Sequence, residues 1–359
     1  MSDAVPTRID GVRAALAVRL SMPETDLTPL PDTGLAHDHI VIGNTGTLAR
    51  IPKQSQMDLP PEDNLEYQAA CFARAGASGH APRLHDVLAP DPALSMGGLI
   101  VDRIDGRPLR LPEDLFAMAQ CLAAIHALPL PDDGARGPLK NPPDTLADTF
   151  TEILQQSAFI ARADLHPDSE SLIREELQRG GRTLARPDRP ATTLIAFDAH
   201  PGNYLLDTSG QAILVDLEKA RYGAPGFDLA HASLYTSTTW DVDSCAVLSP
   251  AQVGAFHDSW LAAMPDALAR SSQPWLLPLR QMMWLWSVTW CAKWKVQSRE
   301  DAVHSGASEN WSAELSDDAL ISHVADRVAD YLDPETIAQV RMDWAEPDAT
   351  IMPASAVSS

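Results

Sequence analysis

Apolar residues near the start of the chain recur at helical spacing, and further on they form short runs of β type. The first pattern predicts a helix over 9–20. Two β-type runs follow over 39–42 and 47–51, and Asn44 and Gly46 lie in the turn between them. Asn and Gly readily adopt the positive φ that a tight hairpin turn demands. These positions therefore predict a leading helix followed by a β-hairpin.

The next segments predict that the hairpin belongs to a small sheet that carries one helix. Apolar positions over 64–75 have helical spacing, and two further strands are predicted over 81–88 and 98–101. The segment 22–32 is rich in Pro and acidic residues, which predicts a linker between the leading helix and the sheet.

Helical spacing dominates the remainder of the chain. Four helical stretches are predicted, over 115–128, 145–161, 168–179 and 249 to about 342, the last broken near Pro274 and over 298–312. Three short strands are predicted between them, over 193–197, 204–206 and 212–215. The sequence therefore predicts an α+β fold, in which a small β-rich part precedes a larger helical part.

The change of pattern divides the chain into three regions. We expect an N-terminal lobe over 1–101, a helical C-terminal lobe over 102–346 and a tail over 347–359. The tail is small and polar, a composition that predicts disorder.

Charge limits the classes of partner. The chain has 49 acidic and 27 basic residues, a formal net charge of −22 at pH 7. Such a charge repels nucleic acids and anionic membrane surfaces, so neither is an expected partner. It also concentrates cationic ligands, although a highly solvated acidic surface is the commoner meaning of such a charge.

Cysteine usage and hydropathy point to a cytoplasmic protein. The four cysteines are scattered, without a C-x-x-C pair, which predicts reduced core thiols rather than disulfides or a metal site. No stretch approaches the roughly 20 apolar residues of a membrane-spanning helix. The first residues carry acids early and lack the apolar core of a signal peptide.

One polar cluster carries the chemistry. Asp198 and Asn203 lie in the stretch F-D-A-H-P-G-N, and Asp216 follows the apolar run after it, in V-D-L-E. Phosphoryl transfer needs a carboxylate that orients and deprotonates the attacking hydroxyl. It also needs an amide oxygen and a second carboxylate that hold Mg²⁺ on the nucleotide phosphates. An Asp near an Asn is often only a turn former, but the flanking β-type runs and the spacing to Asp216 favour a catalytic site.

The order D-x-x-x-x-N and then D resembles the catalytic and metal loops of the kinase superfamily. The letters H-P-G-N inside it resemble the aminoglycoside phosphotransferase and choline kinase family, whose usual form is H-G-D-x-H-x-x-N. The resemblance extends from about Asp32 to Ala230. It implies a bilobal protein-kinase-like fold, with a small β-rich N-lobe and a large, mainly helical C-lobe, that uses ATP and Mg²⁺.

The resemblance assigns roles residue by residue. It implies that Asp198 is the catalytic base and that Asn203 and Asp216 are metal ligands. It also implies that His200 supports the loop and that Asp228, in G-F-D-L-A, braces it by hydrogen bonds.

Two positions depart from the family pattern. Ala196 stands where the family has His, and Phe197 stands where it has Gly. Because that His mainly braces the backbone, its loss alone should not remove phosphoryl transfer. The departure nevertheless keeps open the hypothesis that the protein is a nucleotide-binding pseudokinase. The retained Asp198, Asn203 and Asp216 argue against that hypothesis.

Glu218 is either a further metal ligand or a solvated loop carboxylate.

The resemblance also implies a nucleotide site in the N-lobe. Gly34 lies where the family has a Gly-rich phosphate loop. Arg50 matches the strand cation that contacts the phosphates, with Lys53 as a rival, and Glu66 matches the helix carboxylate that pairs with this cation. The backbone at Val101 lies at the expected hinge, where it would bind the adenine edge.

The acceptor is less well defined by the sequence. Trp286, Trp290 and Trp294 fall on one face of a predicted helix. Aromatic faces attract cations, so a choline- or ethanolamine-like hydroxyl acceptor is one expectation, and ordinary core packing is the commoner meaning of such a stripe. Asp241 and Asp243 would either meet an ammonium group or form a turn. The main alternative is phosphorylation of an aminoglycoside.

Overall fold

The computed structural model describes residues 8–31, 36–301 and 318–345. Gly34, most of the loop predicted over 298–312, and the tail predicted over 347–359 lie outside these residues. The first residues of that predicted loop, up to Asp301, are helical.

A five-stranded antiparallel sheet forms the N-terminal part. Its strands, in chain order, are β1 (Leu27–Pro29), β2 (His37–Ile42), β3 (Thr47–Pro52), β4 (Leu84–Leu88) and β5 (Gly98–Asp102). They are arranged β1-β2-β3-β5-β4. The predicted hairpin is β2 and β3, with Ile40 opposite Ala49. The predicted linker contains β1, so that part of the interpretation was wrong.

Two helices pack against this sheet, one on each face. Successive residues of a strand point to opposite faces. Ile100 on β5 accordingly packs in a cluster with α1 (Arg8–Leu20), whereas Leu99 and Val101 pack in a cluster with α2 (Pro61–Ala75). The predicted leading helix is thus α1, and it covers the sheet face that α2 leaves.

Two small sheets form beside the five-stranded one. One has the order β6-β8-β9, with β6 (Gly106–Pro108), β8 (Tyr204–Asp207) and β9 (Ala212–Leu214). The other pairs β7 (Thr193–Ile195) with β10 (Arg221–Gly223). The predicted strands in this region are present as β7, β8 and β9, whereas β6 (G-R-P) and β10 (R-Y-G) had no clear signal because neither contains an apolar run.

The C-terminal part is mostly helical. Its helices are α3 (Leu115–His126), α4 (Thr145–Ser157), α5 (Pro167–Leu184), α6 (Gly226–Ser233), α7 (Tyr235–Thr238), α8 (Pro250–Ala263), α9 (Asp266–Ser272), α10 (Leu276–Asp301), α11 (Asp318–Tyr331) and α12 (Pro334–Ala345). The long helix α10 lies at the centre and packs against α4, α5, α6 and α11. The predicted α+β arrangement is therefore confirmed. The boundary placed after residue 101 stays a prediction.

Side-chain signals define several helix starts. Asp144 accepts hydrogen bonds from the backbone N–H groups of Leu146 and Ala147 at the start of α4. Ser249 and Gln252 form a reciprocal capping box at the start of α8. These caps fix the direction in which each helix enters the core, and α4 is the helix that reaches the site described below.

No helix in the described ranges is both long and apolar enough to cross a membrane. All four cysteines are free thiols. Cys71, Cys121 and Cys291 are buried as predicted, but Cys245 is exposed, so the prediction of a core position was wrong for that residue.

Candidate active site

The strands β7, β8 and β9 bring the three predicted catalytic residues together. Asp198 and Asn203 lie in the loop that joins β7 to β8. In the β8–β9 hairpin, the backbone N–H of Val215 donates to the carbonyl of Asn203 at 2.9 Å. Asp216 is the next residue, so the hairpin brings the backbone of Asp216 close to that of Asn203.

The side chain of Asn203 is oriented so that its amide oxygen can bind a metal ion. Its Nδ2 donates to the backbone carbonyl of Asp198 at 2.8 Å, which leaves Oδ1 for a ligand. Mg²⁺ is usually held by one or two protein oxygens together with substrate phosphates. In the described part of the chain, no group of three or more His, Cys, Asp or Glu side chains could hold a metal by itself. Asn203 and Asp216 therefore fit a magnesium ion that arrives with a nucleotide.

Asp198 is an ionised carboxylate in a partly buried position. Its side chain is 21% exposed, and Lys219 Nζ donates to its Oδ2 at 2.7 Å. Burial alone would raise the pKa of Asp198, but Lys219, His200 and His231 outweigh it and hold the pKa well below its usual range. Asp198 thus carries a full negative charge at neutral pH.

The sequence interpretation missed Lys219. Burial opposes its charge, but the neighbouring carboxylates of Asp198 and Glu218 outweigh burial and raise the pKa of Lys219. The only sequence signal is its place three residues after Asp216, in a segment that must pass the catalytic loop. A permanently charged ammonium therefore lies against the proposed base.

Arg50 connects the N-lobe sheet to the metal loop. It is buried on β3, and its Nη2 donates to Asp216 Oδ1 at 2.5 Å. Its guanidinium lies 5.5 Å from the ring centre of Phe72 on α2. The predicted strand cation is therefore at the cleft, where it lies beside the predicted metal ligand.

The predicted pair between Arg50 and Glu66 is not present. Glu66 is exposed on α2, because the buried side of this helix carries Leu65, Gln68 and Cys71 instead. Gln68 is the polar residue that α2 directs towards the cleft, and its Nε2 donates to Glu218 at 3.5 Å. Helical phase explains the error, since two positions along a helix change the direction of a side chain by more than half a turn.

Glu218 is buried and not solvated. Its side chain is 4% exposed, and His37 Nε2 lies 3.4 Å from its Oε2. Burial and, next, the charge of Asp216 raise the pKa of Glu218 to about 8, against the opposing effect of Arg50. The solvated alternative was therefore wrong, and a role as a further metal ligand stays a prediction.

Asp228 braces the catalytic loop. Its side chain is 0% exposed. Its two carboxylate oxygens accept hydrogen bonds from the backbone N–H groups of Ala196 at 2.7 Å and Phe197 at 2.8 Å. His126 Nε2 lies 3.0 Å from the same carboxylate, and Trp260 Nε1 donates to His126 Nδ1 at 3.0 Å. The loop that lacks the family His is thus held by a buried chain of hydrogen bonds.

His126 and Trp260 were missed because both lie in apolar helix patterns far from the motif in sequence. A histidine on the buried face of α3 was a weak signal for a hydrogen-bonded role. His200, which was expected to support the loop, is half-buried, and its ring centre lies 6.0 Å from that of His231.

Phe197 has an unusual backbone conformation. Its φ is +63°, in the left-handed region that favours glycine. The positive φ explains why the family has Gly at this position. The contacts of the Phe197 ring explain how Phe is accommodated. The guanidinium of Arg221 lies 3.7 Å from its ring centre, and the ring of Trp286 packs edge-on at 5.4 Å. Packing therefore holds a strained backbone immediately before Asp198.

We expect Phe197→Gly to be more stable than Phe197→Ala by about 1 kcal/mol. Both variants lose the same ring, but only glycine adopts a positive φ without strain. In ordinary strands and helices the order is the reverse. Urea unfolding of the two proteins measures the difference. If the alanine protein is equally or more stable, the backbone here is not strained.

The tryptophan stripe of α10 is divided between the site and the core. Trp286 is half-buried beside the catalytic loop, and its Nε1 donates to Glu152 Oε2 at 3.2 Å. Glu152 also accepts from Arg221 at 2.9 Å and from Lys140. Trp290 instead packs on Trp240, with ring centres 5.8 Å apart. Of the predicted aromatic surface, Trp286 is thus the residue that lies at the catalytic loop.

The remaining predicted residues have simpler surroundings. Val101 is buried on β5 opposite Leu48, at the point where the sheet gives way to the C-terminal part. Asp241 forms a turn, because its Oδ1 accepts from the backbone N–H groups of Asp243 and Ser244. It also packs against Gly202, where an added Cβ would come within 2.7 Å of it.

Comparison with known proteins agrees with this geometry. Residues 43–270 match the model of the phosphotransferase enzyme family. No curated protein matches the sequence.

Solved structures share the fold. A choline/ethanolamine kinase family protein from Mesorhizobium loti has a TM-score of 0.55 at 18% identity, covering 94% of this chain and 100% of that one. An ethanolamine kinase from Plasmodium vivax has a TM-score of 0.61 at 13% identity, with 94% and 93% covered. A thermostable mutant of aminoglycoside phosphotransferase APH(4)-Ia, in a ternary complex with AMP-PNP and hygromycin B, has a TM-score of 0.57 at 17% identity, with 93% and 99% covered.

At these identities the likeness shows the fold alone, which is the bilobal protein-kinase-like one. The family match covers more than half of the chain and includes Arg50, the catalytic loop and Asp216. The chain therefore belongs to the phosphotransferase enzyme family.

Proposed function

We propose that this protein is an ATP- and Mg²⁺-dependent kinase that transfers the γ-phosphate to a hydroxyl group of a small molecule. The observation that carries the proposal is the convergence of Asp198, Asn203 and Asp216 at one site, where Arg50 of the N-terminal sheet pairs with Asp216. Membership of a phosphotransferase family supports it. AMP-PNP in a structural neighbour supports ATP as the nucleotide.

Each residue has a role that its contacts support. Asp198, ionised and partly exposed, accepts the proton of the attacking hydroxyl. Asn203 and Asp216 would hold Mg²⁺, and Arg50, which pairs with Asp216 here, would contact the nucleotide phosphates. Bound Mg²⁺ would neutralise charge on the phosphates. The hydroxyl oxygen bonds to the γ-phosphorus, the proton goes to Asp198, and the bond to the leaving ADP breaks.

Two features support an active enzyme over a pseudokinase. Asp198 keeps its charge in a position that is 21% exposed, so an acceptor can reach it. Asp228 holds the backbone before it through two hydrogen bonds, despite Ala196. The departure from the family pattern has therefore not loosened the catalytic loop.

Two classes of small molecule are candidates for the acceptor that carries the hydroxyl. A cationic alcohol such as choline or ethanolamine is supported by Trp286 at the catalytic loop and by an ethanolamine kinase among the structural neighbours. An aminoglycoside is supported by the neighbour that binds hygromycin B. Glu152, the carboxylate that contacts the Trp286 indole, already accepts hydrogen bonds from Trp286, Arg221 and Lys140.

We place the reaction in the cytoplasm, which the four free thiols support.

The test is ADP release with Mg²⁺ and ATP in the presence of amino-alcohols, aminoglycosides, sugars and amino acids. We expect one class to stimulate release well above the rate without acceptor, and EDTA to abolish it. If no acceptor stimulates release while ATP still binds, the kinase proposal is wrong and a pseudokinase is supported.

Lys219→Met should lower kcat by about 10²-fold with little change in KM for ATP. The ammonium lies 2.7 Å from Asp198 and orients the carboxylate that accepts the proton, and disturbing a general base has effects of this size. Lys219→Arg keeps the charge and should recover part of the rate. Steady-state kinetics of both variants distinguish a catalytic role of Lys219 from a structural one. An unchanged kcat for Lys219→Met would limit Lys219 to a structural role.

A further inference from the structure

His231 is a buried imidazole that faces the proposed base. It lies on α6, is 8% exposed, and its Nδ1 is 3.7 Å from Asp198 Oδ1. This distance is too long for a hydrogen bond. Nδ1 is fully buried and has no hydrogen-bond partner among the described residues. Because buried polar atoms are rarely left without a partner, this nitrogen points to a ligand that lies beside Asp198.

The surroundings fix both the position and the charge of this ring. Trp286 packs against it with ring centres 6.5 Å apart, and His200 packs edge-on at 6.0 Å. Burial lowers the pKa of His231 to about 4, against the opposing effect of Asp198, so the imidazole is neutral at neutral pH. A neutral imidazole that faces a carboxylate carries its proton on the nearer nitrogen, because the N–H is attracted and a lone pair is repelled. Nδ1 is therefore a donor.

The distance between the two groups suits one bridging oxygen atom. Normal hydrogen bonds of about 2.7–2.9 Å to each partner form a triangle with the 3.7 Å separation of Asp198 Oδ1 and His231 Nδ1. In the proposed reaction, the oxygen atom that lies within hydrogen-bond distance of Asp198 is that of the acceptor hydroxyl.

We propose that His231 is a further catalytic residue, whose Nδ1–H donates to the acceptor hydroxyl oxygen while that hydroxyl donates to Asp198. This inference rests on the proposed kinase function. A hydroxyl has one proton and two lone pairs. The proton faces Asp198, one lone pair accepts from His231, and the other is left to attack the γ-phosphorus. The proton passes to Asp198 as the new O–P bond forms and the bond to ADP breaks.

This arrangement also selects the chemical class of the attacking atom. A neutral amine has a single lone pair, which His231 would occupy, so an amine at this place cannot attack phosphorus. Acceptors that carry both groups, such as amino-alcohols or aminoglycosides, should therefore be phosphorylated on oxygen only. His231 thus distinguishes alcohols from amines at the reacting centre.

Three substitutions separate this role from packing. The amide nitrogen of Asn lies near the place of Nδ1, whereas that of Gln lies near the place of Nε2. We expect His231→Gln and His231→Leu to lower kcat by about 10- to 100-fold, the effect of losing a contact that positions the reacting hydroxyl. His231→Asn should retain most of the rate. KM for ATP should change little in all three, and thermal melting reports on folding.

The outcomes are distinct. Selective loss in the Gln and Leu proteins, with recovery in the Asn protein, supports the proposal. Unchanged kcat in the Gln and Leu proteins overturns it, as does equal loss in all three together with a lower melting temperature, which would mean a packing role. If the wild type phosphorylates no acceptor, the kinase function itself fails and this inference falls with it.

Discussion

Asp198→Ala should lower kcat by about 10²- to 10⁴-fold, the range expected for loss of a general base, and should leave nucleotide affinity nearly unchanged. The physical reason is that Asp198 contacts Lys219 and not Arg50, whereas Arg50, the proposed phosphate-binding cation, pairs with Asp216. Steady-state kinetics give kcat, and calorimetric titration with Mg²⁺ and AMP-PNP gives the affinity.

Asp198→Asn is the matched control for this experiment. The amide keeps the shape of the side chain and its place beside Lys219 but cannot accept a proton. We expect it to be nearly as inactive as the alanine protein and to melt at nearly the wild-type temperature. Near wild-type turnover by either protein would show that Asp198 is not the base.

Asp228→Ala should lower the free energy of unfolding by about 3–5 kcal/mol. The carboxylate is buried and accepts from two backbone N–H groups, and His126 lies 3.0 Å from it. Alanine would leave these donors buried without a partner. The same change releases the backbone before Asp198, so kcat should fall as well. Urea unfolding and steady-state kinetics measure the two effects.

Asp266→Ala is a control that makes the same chemical change at an exposed site. Asp266 opens α9, its side chain is 94% exposed, and its ion pair with Arg270 is long, at 3.9 Å. We expect a change within about 0.5 kcal/mol. If Asp228→Ala is as stable as this control, the hydrogen bonds at the catalytic loop do not stabilise the fold as proposed.

The parts of the fold that the sequence predicted are those set by local pattern. The β2–β3 hairpin follows from its Asn and Gly turn, and α1 and α3 follow from regular apolar spacing. Strand β1 was missed because it lies in a segment rich in Pro and acidic residues and contains Pro29 itself. Its pairing with β2 satisfies backbone groups that no local pattern reveals.

The residues of the candidate site also divide into those that local sequence predicted and those that it did not. Asp198, Asn203 and Asp216 could be predicted because one short segment holds them, and the β8–β9 hairpin brings its ends together. Lys219 reaches Asp198 from the turn before β10, His231 reaches it from α6, and Glu152 reaches Trp286 from α4. Such contacts depend on tertiary packing across many positions, which motif spacing does not encode.

The error at Glu66 illustrates a further limit. A carboxylate on a helix before the motif suited a pair with Arg50, but the apolar residues around it decide which side of α2 is buried. The buried side directs Gln68 towards Glu218. Reading the helical phase from Leu65, Cys71 and Phe72 would have shown that Glu66 faces solvent.

The most direct test of the central claim follows the phosphate itself. The wild-type protein is incubated with Mg²⁺, the acceptor panel and ATP that carries a labelled γ-phosphate, and the labelled products are separated. We expect label in a phosphate ester of one acceptor class, formed by the wild type and absent with Asp198→Ala. Label that stays in ATP, or that is released only as inorganic phosphate at the same rate by both proteins, would contradict it.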